Sequence, residues 1–405
     1  MRVLLLGLAL LMSGTAGAQG APMAYLESVE AVHRARFAGV QADPLGERGY
    51  APLEAVPGAP GIQLPVARAS AVSARALKAA RSYAAAAGSS AFMVIHRGEV
   101  LAEDHFGGTP ADLLVSKSLA KPVTALAVGR ALMLGKLTSL DQKLGEILVE
   151  WEGKPQGEMK VRHLLDMRTG LLAQGPLADP DDIWSRSYLH PYHERIILEE
   201  YPLTDAPGSI YEYSNATSEL VALVIERVTG RRYAEFVGTE LLAAIGAPGG
   251  QVWVNRPGGL AHSGCCMMLP AQSYARMAML VAQDGVWAGQ RLLPQGYVAE
   301  MKTGTAENPW YGMGLWLGGR YTERRGFANP ARKARMVLHS QPYLSDDVVM
   351  FDGNSNQIVY IVPSQQLVVL RLGPTPPAKP EWDNSRLINL VLKGLKGVTL
   401  TPQPH

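Results

Sequence analysis

The sequence is poor in cysteine and in net charge. Its 405 residues include two cysteines, Cys265 and Cys266, and because these are adjacent they cannot link distant parts of the chain. We expect two buried thiols there rather than a vicinal disulfide. A formal charge of +2 offers no basic surface of the kind that binds nucleic acid. With 47% hydrophobic and 18% charged residues, the chain is globular rather than disordered.

Apolar runs long enough to span a membrane are lacking as well. The run VLLLGLALLM, after Arg2, is far shorter than the roughly 20 residues that cross a bilayer. It is followed by Ala16-Gly17-Ala18, a small-x-small pattern that signal peptidases read. We therefore predict that residues 1–18 are a signal peptide cleaved near Ala18. The mature protein would be periplasmic or secreted and would have no membrane span.

The rest of the chain changes character three times. Residues 19–70 are rich in Pro, Gly and Ala, which predicts an extended segment wrapped around a core. Residues 71–118 predict a helix and a hairpin, residues 119–265 are mostly helical, and residues 266–398 return to strands before a last helix. Strands at both ends with helices between them predict an α+β fold. Its antiparallel sheet would be built from both chain ends and flanked by helices, with an inserted helical domain.

Pro122 fixes where the helix KPVTALAVGRAL begins. Proline lacks an amide hydrogen and is tolerated only in the first turn, so the helix must start within about four residues before it. Ser118 then lies at the N-terminus, where its amide can stabilise an anion, and Lys121 lies on the same face one turn later. The helix is apolar all round, so the lysine is desolvated and can accept a proton from the serine. The alternative is a serine cap with a lysine that reaches solvent.

A second candidate element lies in PGSIYEYSN, where Tyr213 and Asn215 precede another helix and could face one cleft. The alternative is a half-buried aromatic and a helix cap. Ser118-Leu119-Ala120-Lys121 followed by Tyr213-Ser214-Asn215 resembles the S-x-x-K and Y-x-N pair of the serine β-lactamase and penicillin-binding-protein superfamily. The resemblance is to the branch of class C β-lactamases, family VIII esterases and 6-aminohexanoate-dimer hydrolases, and it runs from about residue 75 to residue 373.

The third motif of that family has two candidates in this chain. Lys302-Thr303-Gly304 spells K-T-G, but it ends a helical stretch and a Pro-containing turn follows it. We interpret it as a decoy. MFDGNSNQIVYIVP, residues 350–363, has the form of two paired strands, and GNSNQ is similar to the G-x-x-G-Q pattern of the dimer hydrolases. On that alignment Gly353 ends the strand, and Asn354 supplies an oxyanion amide opposite Ser118.

The resemblance implies an acyl-enzyme mechanism in which no cofactor takes part. Lys121, with Tyr213 as relay, would deprotonate Ser118 for attack on an ester or amide carbonyl. Asn215 would orient Lys121 and contact the substrate. No metal is expected: in LHPYHE, which contains His190, His193 and Glu194, a third ligand at helical spacing is missing, and a cleft-rim loop is the better interpretation.

The expected partner is a small-molecule ester or linear amide. Lactamases use the K-T-G lysine to hold a carboxylate, whereas here Asp352 would repel one, unless His339 or Arg335 supplies a cation. A class C-like β-lactamase or a D-aminopeptidase remains an alternative. So does a non-catalytic protein on the same fold that binds peptidoglycan or regulates. The G-x-S-x-G motif of unrelated serine hydrolases does not occur. The sequence does not determine the oligomeric state.

Overall fold

The computed structural model describes residues 23–44, 46, 49–61, 63–326 and 336–404. The predicted signal peptide therefore lies outside the described residues. The helices are α1 (Met23–Ala42), α2 (Ala74–Ala86), α3 (Ala120–Met133), α4 (Val161–Leu165), α5 (Ile183–Leu189), α6 (His193–Glu199), α7 (Asn215–Thr229), α8 (Tyr233–Phe236), α9 (Ala271–Ala282), α10 (Tyr297–Met301) and α11 (Arg386–Leu392). The strands are β1 (Leu53–Val56), β2 (Ala91–His96), β3 (Glu99–His105), β4 (Leu114–Val115), β5 (Gly250–Trp253), β6 (Met267–Leu269), β7 (Val286–Trp287), β8 (Gln290–Arg291), β9 (Trp316–Leu317), β10 (Arg324–Gly326), β11 (Met336–Leu338), β12 (Val349–Gly353), β13 (Gln357–Val362) and β14 (Leu367–Leu372).

The main sheet combines strands from both ends of the chain, as predicted. Its order is β3-β2-β14-β13-β12-β9, and every neighbouring pair is antiparallel. The β2–β3 hairpin turns at Arg97 and Gly98, whose φ angles of 51° and 86° suit a tight hairpin. The long helices α3 and α7 come from the middle of the chain and pack against each other. This arrangement is the predicted α+β fold.

Strand β13 shows how the sheet separates two cores. All six of its residues are buried, and successive side chains point to opposite faces. Val359 and Ile361 belong to the core that includes α9. Ile358, Tyr360 and Val362 belong to the core that includes α2 and α11. Because helices cover both faces, the C-terminal ends of β12 and β14 can hold a site without exposing the core.

The N-terminal region differs in part from the extended segment predicted for residues 19–70. Helix α1 covers Met23–Ala42, a stretch that contains alanine, glutamate and arginine and no proline. Helix propensity therefore prevails there, and the proline-rich composition begins only after it. The later part is extended as predicted, since β1 pairs with β5 and Val66 forms a parallel bridge with Val100.

The expectation of two free thiols is also wrong. Cys265 and Cys266 form a vicinal disulfide, and both residues are buried in a small cluster with Trp253 and Leu189. Their burial was expected, and the sequence holds no third cysteine with which either could pair instead.

No helix in the described part of the chain combines the length and the apolar character that crossing a membrane requires.

Candidate active site

Ser118 lies on a short 3-10 turn, Lys117–Leu119, that runs directly into α3. Pro122 is the third residue of α3, so it falls in the first turn, where its missing amide hydrogen costs nothing. The turn is held from outside by Lys117, whose ammonium donates to the carbonyl of Gly46 at 2.8 Å and to the Tyr50 hydroxyl at 2.9 Å. The predicted helix start and the predicted place of Ser118 are both confirmed.

Lys121 is 2% exposed and makes three hydrogen bonds. Its Nζ lies 3.2 Å from Ser118 Oγ, 3.0 Å from Asn215 Oδ1 and 2.8 Å from the carbonyl oxygen of Gly264. Two of these partners, the amide and the carbonyl oxygen, can only accept. A neutral lysine amine would give its two hydrogens to them and turn its lone pair toward the Ser118 hydroxyl. Burial lowers the pKa of Lys121 well below its ordinary value and so favours that neutral form.

Tyr213 and Asn215 lie at the start of α7 and both face Lys121. The Lys121 ammonium is 4.7 Å from the centroid of the Tyr213 ring, which stacks on Trp316 at 6.0 Å. Burial raises the pKa of Tyr213, and hydrogen bonding with Ser118 opposes that shift. The N-cap of α7 is Ser214, so the alternative role of Asn215 as a helix cap is wrong. Its side chain binds Lys121 instead.

The corner between β12 and β13 closes the site opposite Ser118. A Cβ placed on Gly353 would lie 2.8 Å from the Ser116 carbonyl oxygen and 3.0 Å from the Ser118 amide nitrogen, so only glycine fits. The next residue, Asn354, is exposed, and Ser355 adopts a left-handed φ of 63°. The predicted Gly353-Asn354 corner therefore reaches the amide of the candidate nucleophile.

Our sequence reasoning missed Arg371, which binds the backbone of this corner. It is fully buried and donates to the carbonyl oxygens of Ser355 at 2.8 Å and Asn356 at 3.2 Å. It is a single charged residue in the apolar strand LVVLRL, and that pattern could have singled it out. Buried charges of this kind need several partners, and loop carbonyls supply them here.

Asp352 has a cationic neighbour that was also missed. Burial raises the pKa of Asp352 to about 8, and the nearby guanidinium of Arg325 opposes that shift. Arg325 is buried and donates to the carbonyls of Leu317 and Gly318. Burial lowers the pKa of His339, the first of the two cations considered from the sequence, to about 3. The second, Arg335, lies outside the described residues.

The expectation for LHPYHE is wrong for His193. Glu194 bonds Arg256 and Asn255, but His193 begins α6 and is fully buried rather than placed on a cleft rim. Its Nε2 lies 3.8 Å from Glu219, and Glu219 lies 3.7 Å from His262. Neither of these partners is near His193 in sequence, which is why the spacing of the motif did not reveal the cluster.

Comparison with known proteins assigns the chain to a family. The family model described as Beta-lactamase matches residues 75–391. The chain belongs to the β-lactamase family. It is thus a serine hydrolase by family, and its S-x-x-K and Y-x-N residues lie together around Lys121 Nζ.

Individual relatives agree with this assignment. A 6-aminohexanoate-dimer hydrolase of Paenarthrobacter ureafaciens is 27% identical over 226 residues, which span 53% of this chain and 57% of that protein. A Bacillus anthracis structure provisionally named a 6-aminohexanoate-dimer hydrolase has a TM-score of 0.64 and 18% identity, covering 85% of this chain and 89% of the other. A class C β-lactamase of Rhodobacter sphaeroides has a TM-score of 0.54 and 17% identity, covering 80% and 98%. These two structures show the same fold.

Gly353→Ala should reduce turnover by about 10² or more, because the added methyl group pushes the corner away from the Ser118 amide. The measurement is kcat/KM on p-nitrophenyl butyrate, with the melting temperature as a check on folding. Gly39→Ala is the matched control, since a Cβ there meets nothing within 4 Å. A folded Gly353→Ala protein with parental kcat/KM would contradict this placement of the corner.

Lys302→Ala should leave kcat/KM within a few-fold of the parent. The structure places Lys302 at the C-terminal cap of α10 and not on β12, as expected for a decoy. A loss of about 10² or more, the scale of a catalytic group, would restore K-T-G as the third motif.

Proposed function

We propose that the protein is an exported serine hydrolase that cleaves a carboxylic ester or a linear amide through an acyl-enzyme on Ser118. The observation that carries the proposal is the placement of Lys121 Nζ, 3.2 Å from Ser118 Oγ and tied to two acceptor oxygens on its other sides. A lysine held in this way is a base aimed at one hydroxyl. Export is part of the proposal and rests on the signal-peptide pattern of residues 1–18.

In the first step Lys121 takes the proton of Ser118, and Oγ forms a bond to the carbonyl carbon of the substrate. The negative charge moves to the carbonyl oxygen, between the amides of Ser118 and Asn354, where one donor contributes roughly 3 kcal/mol. Tyr213 relays the proton from Lys121 to the leaving alcohol or amine as its bond to carbon breaks. A water then attacks the acyl carbon while Lys121 takes a proton from it. The bond from that carbon to Ser118 Oγ breaks, the proton passes to Oγ, and the carboxylic acid leaves.

The charges beside the corner support a neutral substrate. Phe351 and Asp352 precede Gly353 where lactamases have the lysine and threonine of K-T-G, and a pKa of about 8 keeps most of Asp352 protonated at neutral pH. The site therefore offers little attraction to a carboxylate and less repulsion than a fully ionised aspartate would. The relative named as a 6-aminohexanoate-dimer hydrolase supports a linear amide as one substrate class.

One observation favours a second candidate, a class C-like β-lactamase. Arg325 acts on Asp352 from within the same region and is a positive charge close to where a lactam carboxylate would sit. However, Arg325 donates hydrogen bonds to the backbone carbonyls of Leu317 and Gly318, and the residue is 4% exposed. The ester or linear amide is therefore the first proposal.

Labelling with a fluorophosphonate probe, followed by peptide mapping, tests the nucleophile. The probe should modify Ser118, and Ser118→Ala should abolish labelling, because the serine is the group that Lys121 activates. Ser209→Ala, at an exposed serine, should label like the parent. Modification at another residue, or undiminished labelling of Ser118→Ala, would refute the assignment.

The substrate class is tested by comparing p-nitrophenyl butyrate with the lactam nitrocefin at pH 7. The ester should have the higher kcat/KM, because Asp352 gives the lactam carboxylate no cation to bind. Faster turnover of nitrocefin would make the lactamase the better proposal. Asp352→Asn removes the remaining fraction of negative charge and should raise nitrocefin turnover relative to that of the ester.

A further inference from the structure

A buried carboxyl group lies behind Lys121, on the side away from Ser118. Glu219 is 1% exposed and lies on α7 one turn after Asn215, the residue whose amide oxygen accepts from Lys121. Residues four apart on a helix share a face, so Asn215 and Glu219 are directed to the same side of α7. The carboxyl group and the amine act on each other's ionisation.

Gly264 connects the two side chains. Its carbonyl oxygen accepts from Lys121 at 2.8 Å. Burial raises the pKa of Glu219 to about 7, and Lys121 and the amides of Gly264 and Ser263 oppose that shift. A Cβ on Gly264 would lie 3.3 Å from Glu219 Oε1 and 2.5 Å from the Ser218 Cβ. Because Gly264 has no side chain, its backbone can lie between Lys121 and Glu219.

Two histidines complete the surroundings of Glu219. His262 Nδ1 lies 3.7 Å from Oε1, and His193 Nε2 lies 3.8 Å from Oε2. The rings are fully buried and stack at 4.4 Å with an angle of 23° between their planes. Nearly parallel planes do not direct their lone pairs to one point, as a shared metal ion would need. Each of these two nitrogens instead lies near its own carboxylate oxygen, at a distance longer than a hydrogen bond.

The other ionisable groups near Glu219 stay neutral. Burial lowers the pKa of both histidines and raises the pKa of the tyrosines that act on the carboxyl group from neighbouring elements, Tyr188 and Tyr233. The guanidinium groups that act on the histidines lower their pKa further; these are Arg36 on both rings and Arg256 on His193. Lys121 and Glu219 are thus the two groups of this cluster whose ionisation changes near neutral pH.

We propose that Glu219 is the buried counter-charge of Lys121 and a positioning residue for the nucleophile's base. This inference rests on the proposed function. When the proton moves from Ser118 Oγ to Lys121 Nζ, the new ammonium forms near a carboxyl group whose ionised form it stabilises. Tyr213 later carries that proton to the leaving group, and the buried Glu219 does not touch the substrate.

The same arrangement keeps Lys121 a base of useful strength. Burial alone lowers the pKa of Lys121, and the Glu219 anion acts in the opposite direction. A base is most effective when its pKa lies near the working pH, so an unopposed decrease would weaken it. Glu219 therefore offsets part of the cost of burying the amine.

The test follows the rate of fluorophosphonate labelling at Ser118 from pH 5 to pH 9 in the parent, Glu219→Gln and Glu226→Gln. Labelling needs neutral Lys121, so the rate rises with pH through the pKa of that group. Loss of the anion should move this rise to lower pH by about one unit or more, and lower the plateau several-fold. Glu226, also on α7 but bonded to Arg232 and the Tyr233 amide, is the matched control and should leave the profile unchanged.

If folded Glu219→Gln labels with the same dependence on pH as the parent, the inference is overturned. No labelling of Ser118 in the parent would instead overturn the proposed function, and the counter-charge is then judged from stability alone. Lys121→Met should lower the melting temperature, because it leaves a buried carboxylate uncompensated. Adding Glu219→Gln should recover at least about 2 °C.

If the decreases in melting temperature caused by the two substitutions simply add in the double variant, the pairing of Lys121 with Glu219 is refuted. This outcome counts whether or not the protein is active. The metal content of the purified parent is the last arm of the test. One equivalent of bound zinc that Glu219→Gln loses would assign the cluster to a metal ion and overturn the proposal.

Discussion

The arrangement of the site depends on the burial of one amine. Lys121 is enclosed by the start of α3, the start of α7 and the strip of backbone at Gly264, and each of these contributes one hydrogen-bond partner. Three separate parts of the chain must therefore meet at a single nitrogen atom. Because an unpaired buried ammonium costs several kcal/mol, the same contacts that make the lysine reactive also fix the helices around it.

Much of the site could be predicted from the sequence because short segments of the chain determine the structure around Ser118, Tyr213 and Gly353. Pro122 determines where α3 begins whatever the surroundings, and simple periodicity shows that the Tyr213-Ser214-Asn215 segment leads into α7. The paired strands at Gly353 could be recognised from their alternation and turn residues. Each of these features is encoded within about ten neighbouring residues, which is the range over which propensity and pattern are informative.

The residues that were missed depend on contacts between distant segments. Arg371 lies alone in an apolar strand, Glu219 precedes an apolar run, and Arg325 follows Glu323 and Arg324. Nothing local says which partner each of these three residues meets. His193 was judged by its neighbours in sequence, although its partners come from α7 and from residue 262. Helix α1 was missed for another reason: the proline-rich composition of residues 44–65 was extended to residues that contain none.

The position of Ser118 also depends on the N-terminal segment. Lys117 reaches back 71 residues in the chain to Gly46, while α1 holds the long loop before α5 through His33 on Pro180 and Gln41 on Leu177. The nucleophile turn and one rim of the cleft thus share a common anchor outside the family-matched region. A shortened protein that begins at the family boundary, residue 75, would keep every catalytic side chain. It would lose the N-terminal segment that anchors the Ser118 turn, so a shortened catalyst has to keep α1.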